Sequence, residues 1–246
     1  MGLPVFYLEQ LQSQQVVLDE DTSKHVISVL RMQAGERILL TDGKGNRSEA
    51  VIMDANRKRC QVEITFAEKV PPAAVSVTIG ISVMKNTSRF EWFLEKATEI
   101  GVQNVIPLIC NRTEKEKFRY DRMRSILISA MLQSQQAWLP VLNEPVPFTR
   151  AIQLCAQNER FIAHCIPSAK QSLAALLVQE RQIPAGQSRC IFIGPEGDFT
   201  PEEAGEAVSA GFLAVSLGET RLRTETAGMV AAVLLKQLPA ATSVGF

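Results

Sequence analysis

The sequence has no long apolar run, few histidines and no excess of either charge. Its longest apolar stretch, residues 227–235, falls far short of the roughly 20 residues that a membrane-spanning helix needs. With only His25 and His164 in the chain, a histidine-based metal centre is not expected, and we predict no metal. Lys and Arg together number 26, as do Asp and Glu, which excludes nucleic-acid binding through net positive charge alone. A local basic patch is compatible with this balance.

The five cysteines form no C-x-x-C pair and are odd in number, so they predict neither a disulfide framework nor a zinc site. They are Cys60, Cys110, Cys155, Cys165 and Cys190. The first residues lack the basic segment and the apolar core of a signal peptide. We therefore expect a cytoplasmic protein with reduced thiols and no membrane span.

Residues 1–70 show the pattern of short strands separated by turns. The predicted strands span residues 36–41, 48–54 and 59–66. One helix is predicted over residues 21–32 because apolar residues recur there at helical spacing. Several short strands at this spacing favour a small β-barrel. Pro71 and Pro72 interrupt both helix and strand formation, so we place the end of a first domain, residues 1–70, just before them.

From residue 75 onward, strands and helices alternate. The predicted strands span residues 75–83, 104–110, 161–165, 190–193 and 213–217. A helix over residues 88–100 is expected to end at Gly101, a long helix begins at Tyr120, and the last helix extends to Leu238. This alternation is typical of a parallel sheet covered by helices on both faces, so the predicted fold class of residues 75–246 is α/β.

Two polar, glycine-bearing loops follow predicted strands, over residues 194–200 and 218–223. Open parallel sheets bind ligands beyond the carboxyl ends of their strands, which makes these loops the candidate site. Neither loop matches the G-x-G-x-x-G or the G-x-x-x-x-G-K-[ST] pattern, so a dinucleotide site and a P-loop are disfavoured. The alternative for the first loop is an ordinary strand-to-helix turn, and the alternative for the second is a capped helix with solvated arginines.

A helix start follows each loop. Thr200, Pro201 and Glu203 predict an N-cap, a first helical position and a capping box. Thr224 is predicted to cap the last helix, and Glu225 suits the positive end of its dipole.

In this order, the two loops and their helices resemble the SPOUT methyltransferases, whose C-terminal strands form a trefoil knot around S-adenosylmethionine. The closer resemblance is to the RsmE-type family, which methylates N3 of a uridine in 16S ribosomal RNA. The segments that carry it are residues 25–32, Lys85, 91–102, 194–197, 217–218 and 222–227. The sequence departs from the family pattern at Val5, Leu132, Gln136 and Asp198. At position 198 the family usually has a second glycine.

The resemblance implies a C-terminal SPOUT-type knotted parallel sheet with helices on both faces, and an N-terminal PUA-like β-barrel that binds RNA. It implies S-adenosylmethionine as the cofactor and methylation of N3 of a specific uridine in small-subunit (16S) ribosomal RNA. Two alternatives stay open. One is a SPOUT methyltransferase that acts on another RNA such as tRNA, and the other is a non-catalytic RNA-binding assembly protein.

The resemblance also implies site residues. The expected cofactor-binding residues are His164, Cys165, Ile193, Gly194, Glu196, Gly197, Leu217, Gly218, Leu222, Arg223, Thr224, Thr226 and Ala227. Arg223 and Glu225 are the candidates for generating or stabilising the uridine anion, with helix capping as the alternative role of Glu225. The expected RNA-binding residues are His25, Arg31, Lys85, Arg89 and Arg112. Residues 71–125 carry nine basic against six acidic residues, which favours a local RNA-binding surface in a neutral protein.

We also expect a homodimer. Residues 227–235 are apolar or glycine at every position, so the predicted last helix must be covered on more than one side. A second copy of the chain would cover the side that the sheet leaves open, and dimers are typical of the family that the sequence resembles. The alternative is burial within one chain, between the sheet and the helix predicted over residues 120–138.

Overall fold

The computed structural model describes residues 2–11, 13–114, 118–179 and 186–236. The chain divides into two compact units. The first comprises residues 1–72 and 128–139, and the second residues 73–127 and 140–246. The division at residue 72 coincides with the two prolines. Residues 128–139, which the sequence analysis assigned to the second domain, are grouped with the first unit.

The first unit is a five-stranded sheet in the order β1-β3-β4-β5-β2. Its strands are β1 (Val5–Tyr7), β2 (Gln15–Val17), β3 (Arg37–Thr41), β4 (Asn46–Asp54) and β5 (Gln61–Lys69). β1 pairs with β3 in parallel, and the other neighbours are antiparallel. Alternate apolar residues of β3, β4 and β5, among them Leu40, Ile52 and Val62, lie buried in one core. This alternation is the expected pattern of strands with one face in a core and one face outside.

The helix of the first unit is shorter than the predicted one over residues 21–32. Helix α1 (Glu20–Lys24) begins after Asp19, whose Oδ1 accepts a hydrogen bond from the Thr22 amide at 2.8 Å. A π-helical turn, His25–Val29, follows directly. Arg31 then has a φ of 57°, in the left-handed region, and this conformation cannot continue a right-handed helix. The predicted end at residue 32 is therefore wrong.

The second unit contains an eight-stranded sheet in which every pairing is parallel. Its strands are β6 (Val75–Ser82), β7 (Asn104–Ile109), β8 (Val141–Leu142), β9 (Val146–Pro147), β10 (Glu159–Ala163), β11 (Gln171–Ser172), β12 (Gln187–Ile193) and β13 (Leu213–Ser216). The spatial order is β11-β13-β10-β12-β6-β7-β8, and β9 also pairs with β7. The predicted parallel sheet is confirmed. The trefoil knot stays a prediction.

Helices lie on both faces of this sheet. They are α2 (Thr87–Ile100), α4 (Phe148–Leu154), α5 (Leu173–Gln179), α6 (Pro201–Ser209) and α7 (Thr224–Lys236), while α3 (Tyr120–Gln133) begins in this unit and ends in the first. Phe192 packs in one core with residues of α4 and α6, whereas Ile81 lies against α7. Ile81 pairs in register with Ile193, the neighbour of Phe192, so the two helix layers cover opposite faces. No described helix is both long and apolar enough to span a membrane.

The helix ends agree with the capping predictions for α2 and α6. α2 ends at Gly101, which has a φ of 87°. At the start of α6, Thr200 and Glu203 form the predicted capping box, with Pro201 in the first turn. α7 is described to Lys236, so its predicted extension to Leu238 lies outside the described residues.

A fully buried arginine joins α7 to the sheet. The Arg189 Nε donates to Glu159 Oε2 at 2.7 Å, which links β12 to β10. Its Nη1 donates to the backbone carbonyl of Leu235 at 3.2 Å, in the last turn of α7. Because a charge buried without partners costs several kcal/mol, this arginine fixes the position of that turn.

Gly228 lies at a close contact between α7 and α2. A Cβ at this position would lie 2.6 Å from the Phe93 ring and 2.8 Å from Ile81 Cδ1. Neither distance is possible without movement of the neighbouring side chains. The absence of a side chain at Gly228 therefore sets the separation of the two helices.

We expect Gly228→Ala to lower the free energy of unfolding by about 1–3 kcal/mol, because the methyl group overpacks this contact. The matched control is Gly205→Ala in α6, where a Cβ meets no atom within 4 Å. It should raise stability by about 0.5–1 kcal/mol through helix propensity. Denaturant unfolding of both variants measures the difference, and equal effects would contradict the close contact.

Candidate functional site

A cavity of about 480 Å³ lies at the carboxyl edge of the second unit's sheet. It forms there because β10 pairs in parallel with both β12 and β13, so the three strands end at the same edge. Three loops consequently converge, those that follow Ala163, Ile193 and Ser216. The two loops singled out in the sequence are two of these three.

Most of the predicted cofactor-binding residues line this cavity. They are His164, Cys165, Ile193, Gly194, Glu196, Leu217, Gly218, Leu222, Arg223, Thr224 and Ala227. Gly197 and Thr226 are absent from its wall. Gly197 instead accepts a hydrogen bond on its carbonyl from Arg112 Nη1 at 2.7 Å. The structure thus brings eleven of the thirteen residues together, and their binding role stays a prediction.

Backbone approaches the cavity closely at two glycines. A Cβ on Gly194 would lie 3.0 Å from the Phe199 amide nitrogen, so a larger residue here would require the Phe199 backbone to shift. Gly218 has a φ of 148°, which side-chain-bearing residues rarely adopt, and no atom lies within 4 Å of the place where its Cβ would be. Ser216 supports this turn, since its hydroxyl donates to the Gly218 carbonyl at 2.8 Å.

The backbone conformation and the contacts of Asp198 explain how an aspartate fits where the family usually has glycine. Its φ is 65°, the left-handed conformation that glycine adopts freely and aspartate tolerates better than most residues. The side chain adds contacts that glycine cannot make. Oδ1 accepts the Phe199 amide at 2.9 Å and Oδ2 accepts the Cys165 amide at 2.7 Å. Asp198 therefore connects two of the three loops.

Thr224 makes a second connection between loops. Its hydroxyl donates to the Gly194 carbonyl at 3.1 Å. The first helical hydrogen bond of α7 runs from the Ala227 amide to the Arg223 carbonyl at 2.7 Å, which puts Arg223 at the N-cap. The predicted capping role of Thr224 is therefore wrong, because the residue lies inside the first turn and its side chain contacts the neighbouring loop.

Lys170 is a cavity residue that the sequence analysis missed. Its Nζ donates to the carbonyls of His164 and Ile166, each at 2.9 Å. Nothing in the local pattern identifies it, since it lies in an irregular segment six residues beyond His164. Only the closing of that segment upon itself brings the ammonium group to the cavity.

His164 has an unused ring nitrogen. Nδ1 is buried and has no hydrogen-bond partner among the described residues. Burial lowers the pKa of the imidazole, and the positive charge of Lys170 lowers it further, although Asp198 acts in the opposite direction. The ring is therefore biased towards its neutral form, and its buried Nδ1 keeps an unused hydrogen-bonding capacity.

The two predicted catalytic residues occupy different places. Arg223 is exposed and lines the cavity, whereas Glu225 is absent from its wall. Glu225 Oε1 lies 3.6 Å from the Nε of Arg89, a predicted RNA-binding residue, and Oε2 is buried without a hydrogen-bond partner among the described residues. The sequence could not reveal this pairing, because α2 and α7 are far apart along the chain.

Two other predicted RNA-binding residues have partners within the second unit. Arg112 holds the loop at Gly197, and Lys85 Nζ lies 2.7 Å from Glu114 Oε2 on the exposed surface. In the first unit, His25 is exposed and meets Phe6 edge to face, with ring centroids 5.8 Å apart. Arg31 is also exposed. No cluster of described residues could hold a metal ion.

Comparison with known proteins assigns both parts of the chain. Residues 71–236 match the model of the RNA methyltransferase domain, and residues 18–65 match that of the RNA methyltransferase PUA domain. Ribosomal RNA small subunit methyltransferase E of Synechocystis is 28% identical over 94% of this chain and 75% of its own length.

Solved structures share the complete fold. The crystal structure of a ribosomal RNA small subunit methyltransferase E from Neisseria gonorrhoeae, bound to S-adenosyl methionine, is 28% identical with a TM-score of 0.80, covering 96% of this chain and 97% of its own. A protein from Porphyromonas gingivalis is 40% identical with a TM-score of 0.83, covering 94% and 95%. With the methyltransferase model matching residues 71–236, the chain belongs to the RNA methyltransferase family, and its relatives include the enzymes named ribosomal RNA small subunit methyltransferase E.

Proposed function

We propose that this protein transfers a methyl group from S-adenosylmethionine to N3 of a specific uridine in small-subunit (16S) ribosomal RNA. The observation that carries the proposal is the cavity at the carboxyl edge of β10, β12 and β13, lined by eleven of the thirteen residues that the family resemblance assigned to the cofactor. The near full-length similarity to rRNA methyltransferases, one of them bound to S-adenosyl methionine, supports it. A ribosomal RNA substrate is consistent with a cytoplasmic location.

The cavity suits the cofactor in size and chemistry. Its volume of about 480 Å³ lies in the range of pockets that hold small molecules, roughly 300–1,000 Å³. Backbone at Gly194, Gly218 and Leu222 would hold the nucleoside, and Ala227 would pack against it. His164, which lines the cavity, has one buried ring nitrogen, Nδ1, without a hydrogen-bond partner among the described residues. S-adenosylmethionine, when bound, supplies an already activated methyl group, so the protein contributes mainly orientation.

The uridine must lose its N3 proton before it can accept the methyl group. Arg223 is the predicted catalytic residue at the cavity, and we assign it to stabilising the resulting anion. Glu225 does not line the cavity, and we assign it to orienting Arg89. N3 lies on the Watson–Crick edge, so the target base must be unpaired when it enters the site.

We assign RNA recognition partly to the first unit, through His25 and Arg31. Both side chains are exposed, that of His25 at the start of the π-helical turn and that of Arg31 two residues after its end. A shaped RNA is recognised mostly through its backbone and its single-stranded bases, which a small basic surface can contact without a high net charge. The two alternative functions, a tRNA methyltransferase and a non-catalytic RNA-binding protein, are outcomes of the test below.

We further propose a homodimer formed through α7. The face of α7 towards α2, α5, β6 and β12 is buried at Gly228, Ala231, Ala232 and Leu235. The other face carries Met229 and Val230, which are half-buried, and Val233, which is 41% exposed. A second copy of the chain would cover this apolar surface.

Separate incubations with S-adenosylmethionine and 16S ribosomal RNA, small subunits or tRNA, each followed by mass spectrometry, test the activity. We expect one N3-methyluridine in 16S RNA.

Gly218→Val should abolish this methylation and weaken cofactor binding, since the valine side chain would occupy the open space at the cavity. Gly35→Val is the matched control, with a φ of 90° and equally open surroundings in the first unit. Methylation of tRNA alone would support the first alternative, and no turnover the second.

Arg31→Gly separates RNA binding from stability. The φ of 57° suits glycine better than arginine, so the variant should be more stable by about 1 kcal/mol. Loss of one phosphate contact should nevertheless weaken RNA binding and reduce the slope of log affinity against log salt by about 1. Arg37→Ala, which removes a cation already 3.5 Å from Glu49, should leave the slope unchanged. An unchanged slope for Arg31→Gly would contradict the assignment.

Sedimentation at micromolar concentration tests the dimer. The wild type should sediment at twice the chain mass of 27.1 kDa. Val233→Asp should shift it towards the monomer, because the new carboxylate would be buried in the interface. Val208→Asp in α6, at a valine that is 49% exposed, is the control and should leave the dimer intact. A monomeric wild type would refute the proposal.

A further inference from the structure

Two opposite charges hold the two ends of a single peptide unit at the cavity. The ammonium of Lys170 donates to the carbonyl of His164 at 2.9 Å, and the carboxylate of Asp198 accepts the amide of Cys165 at 2.7 Å. That carbonyl and that amide belong to the same peptide bond. Because a trans peptide directs them in opposite directions, Nζ and Oδ2 lie at most about 8 Å apart.

Both charged groups line the cavity and have hydrogen-bonding capacity left over. Lys170 uses two of its three N–H donors, on the carbonyls of His164 and Ile166. Each carboxylate oxygen of Asp198 accepts one backbone amide and keeps a further lone pair. Both side chains are half-buried, so a ligand that reached them would meet weaker screening than at the open surface.

We propose that Lys170 and Asp198 form the recognition site for the zwitterionic α-amino-acid end of the cofactor. The Lys170 ammonium binds the α-carboxylate, and the Asp198 carboxylate binds the α-ammonium. This inference rests on the proposed function, since it assigns one end of the same ligand.

The spacing of the two groups matches this ligand. The ammonium nitrogen and a carboxylate oxygen of an α-amino acid are about 3 Å apart, and a charge-assisted hydrogen bond adds about 2.8 Å at each end. The zwitterion can therefore lie alongside the His164–Cys165 peptide with its charges opposed to those of the protein.

The identity of residue 198 gives this site its negative charge. Glycine, which the family usually has there, would supply the left-handed backbone but no carboxylate. Asp198 supplies both, with a φ of 65° and two accepted backbone amides. A bound zwitterion would then join the loop after β10, through Lys170, to the loop after β12, through Asp198.

Calorimetry with two nucleosides tests the assignment. S-adenosylhomocysteine carries the amino-acid end, and 5′-methylthioadenosine lacks it but keeps the nucleoside. We expect Lys170→Met and Asp198→Asn each to weaken S-adenosylhomocysteine binding about 10-fold or more, as expected for loss of a hydrogen bond to a charged group. Binding of 5′-methylthioadenosine should change less than about 2-fold under the same principle, since it makes neither contact. Lys170→Arg should keep the preference for S-adenosylhomocysteine.

Arg221→Met is the matched control, because Arg221 is another cation on the cavity wall. It should leave the ratio of the two affinities unchanged. A further measurement uses only the wild type and compares its affinity for decarboxylated S-adenosylmethionine with its affinity for S-adenosylmethionine. We expect the decarboxylated form to bind at least about 10-fold more weakly than S-adenosylmethionine, because it lacks the carboxylate that Lys170 binds.

Three results would overturn the inference. Equal losses of affinity for both nucleosides in Lys170→Met and Asp198→Asn would show that the two charges only hold the His164–Cys165 peptide in place. If Arg221→Met changes the ratio of the two nucleoside affinities and Lys170→Met does not, the α-carboxylate is bound by a residue other than Lys170. Equal wild-type affinity for decarboxylated and intact S-adenosylmethionine would remove the need for any cation. Failure of the wild type to bind S-adenosylhomocysteine at all would instead refute the proposed function, and this inference with it.

Discussion

The parallel pairing of β10 with β12 and with β13 is the constraint on which the candidate site depends. Parallel neighbours must end at the same edge, so the three loops that follow them meet whatever their sequences are. Two side-chain hydrogen bonds then fix the loops against one another. The Cys165 amide donates to the Asp198 carboxylate, and the Thr224 hydroxyl donates to the Gly194 carbonyl. The cavity wall is therefore held in place by a few polar side chains that bind the backbone of a neighbouring loop.

A second set of contacts supports this edge from β7. Glu203 is buried, and its two oxygens accept the amides of Asn111 and Thr200. Arg112, next in the chain, donates to the Gly197 carbonyl at 2.7 Å. The capping box of α6 thus also anchors the turn after β7, and Arg112 anchors the loop after β12. A residue expected to contact RNA has, in this structure, a role in shaping the loop beside the cavity.

Periodicity predicted the long elements and failed where the structure depends on partners or on very short segments. The strands of the sheet and the ends of α2 and α6 follow from local patterns and capping residues. β8, β9 and β11 have two residues each, too few to show a period, and α4 and α5 have seven. The loops at the cavity were identified from their glycines and polar residues. The contacts of Lys170 and the pairing of Arg89 with Glu225 exist only once distant segments have met.

The topology of the sheet also determines how this unit can form during synthesis. β6 emerges from the ribosome about a hundred residues before its neighbour β12, so one edge of β6 stays unpaired until β12 has been made. Unpaired edges and late long-range contacts make folding slow and expose the nascent chain to aggregation. The contact of Arg189 forms later still, because the carbonyl to which it donates, that of Leu235, lies in the last turn of α7. The centre of the sheet can therefore complete its contacts only after α7 has been made.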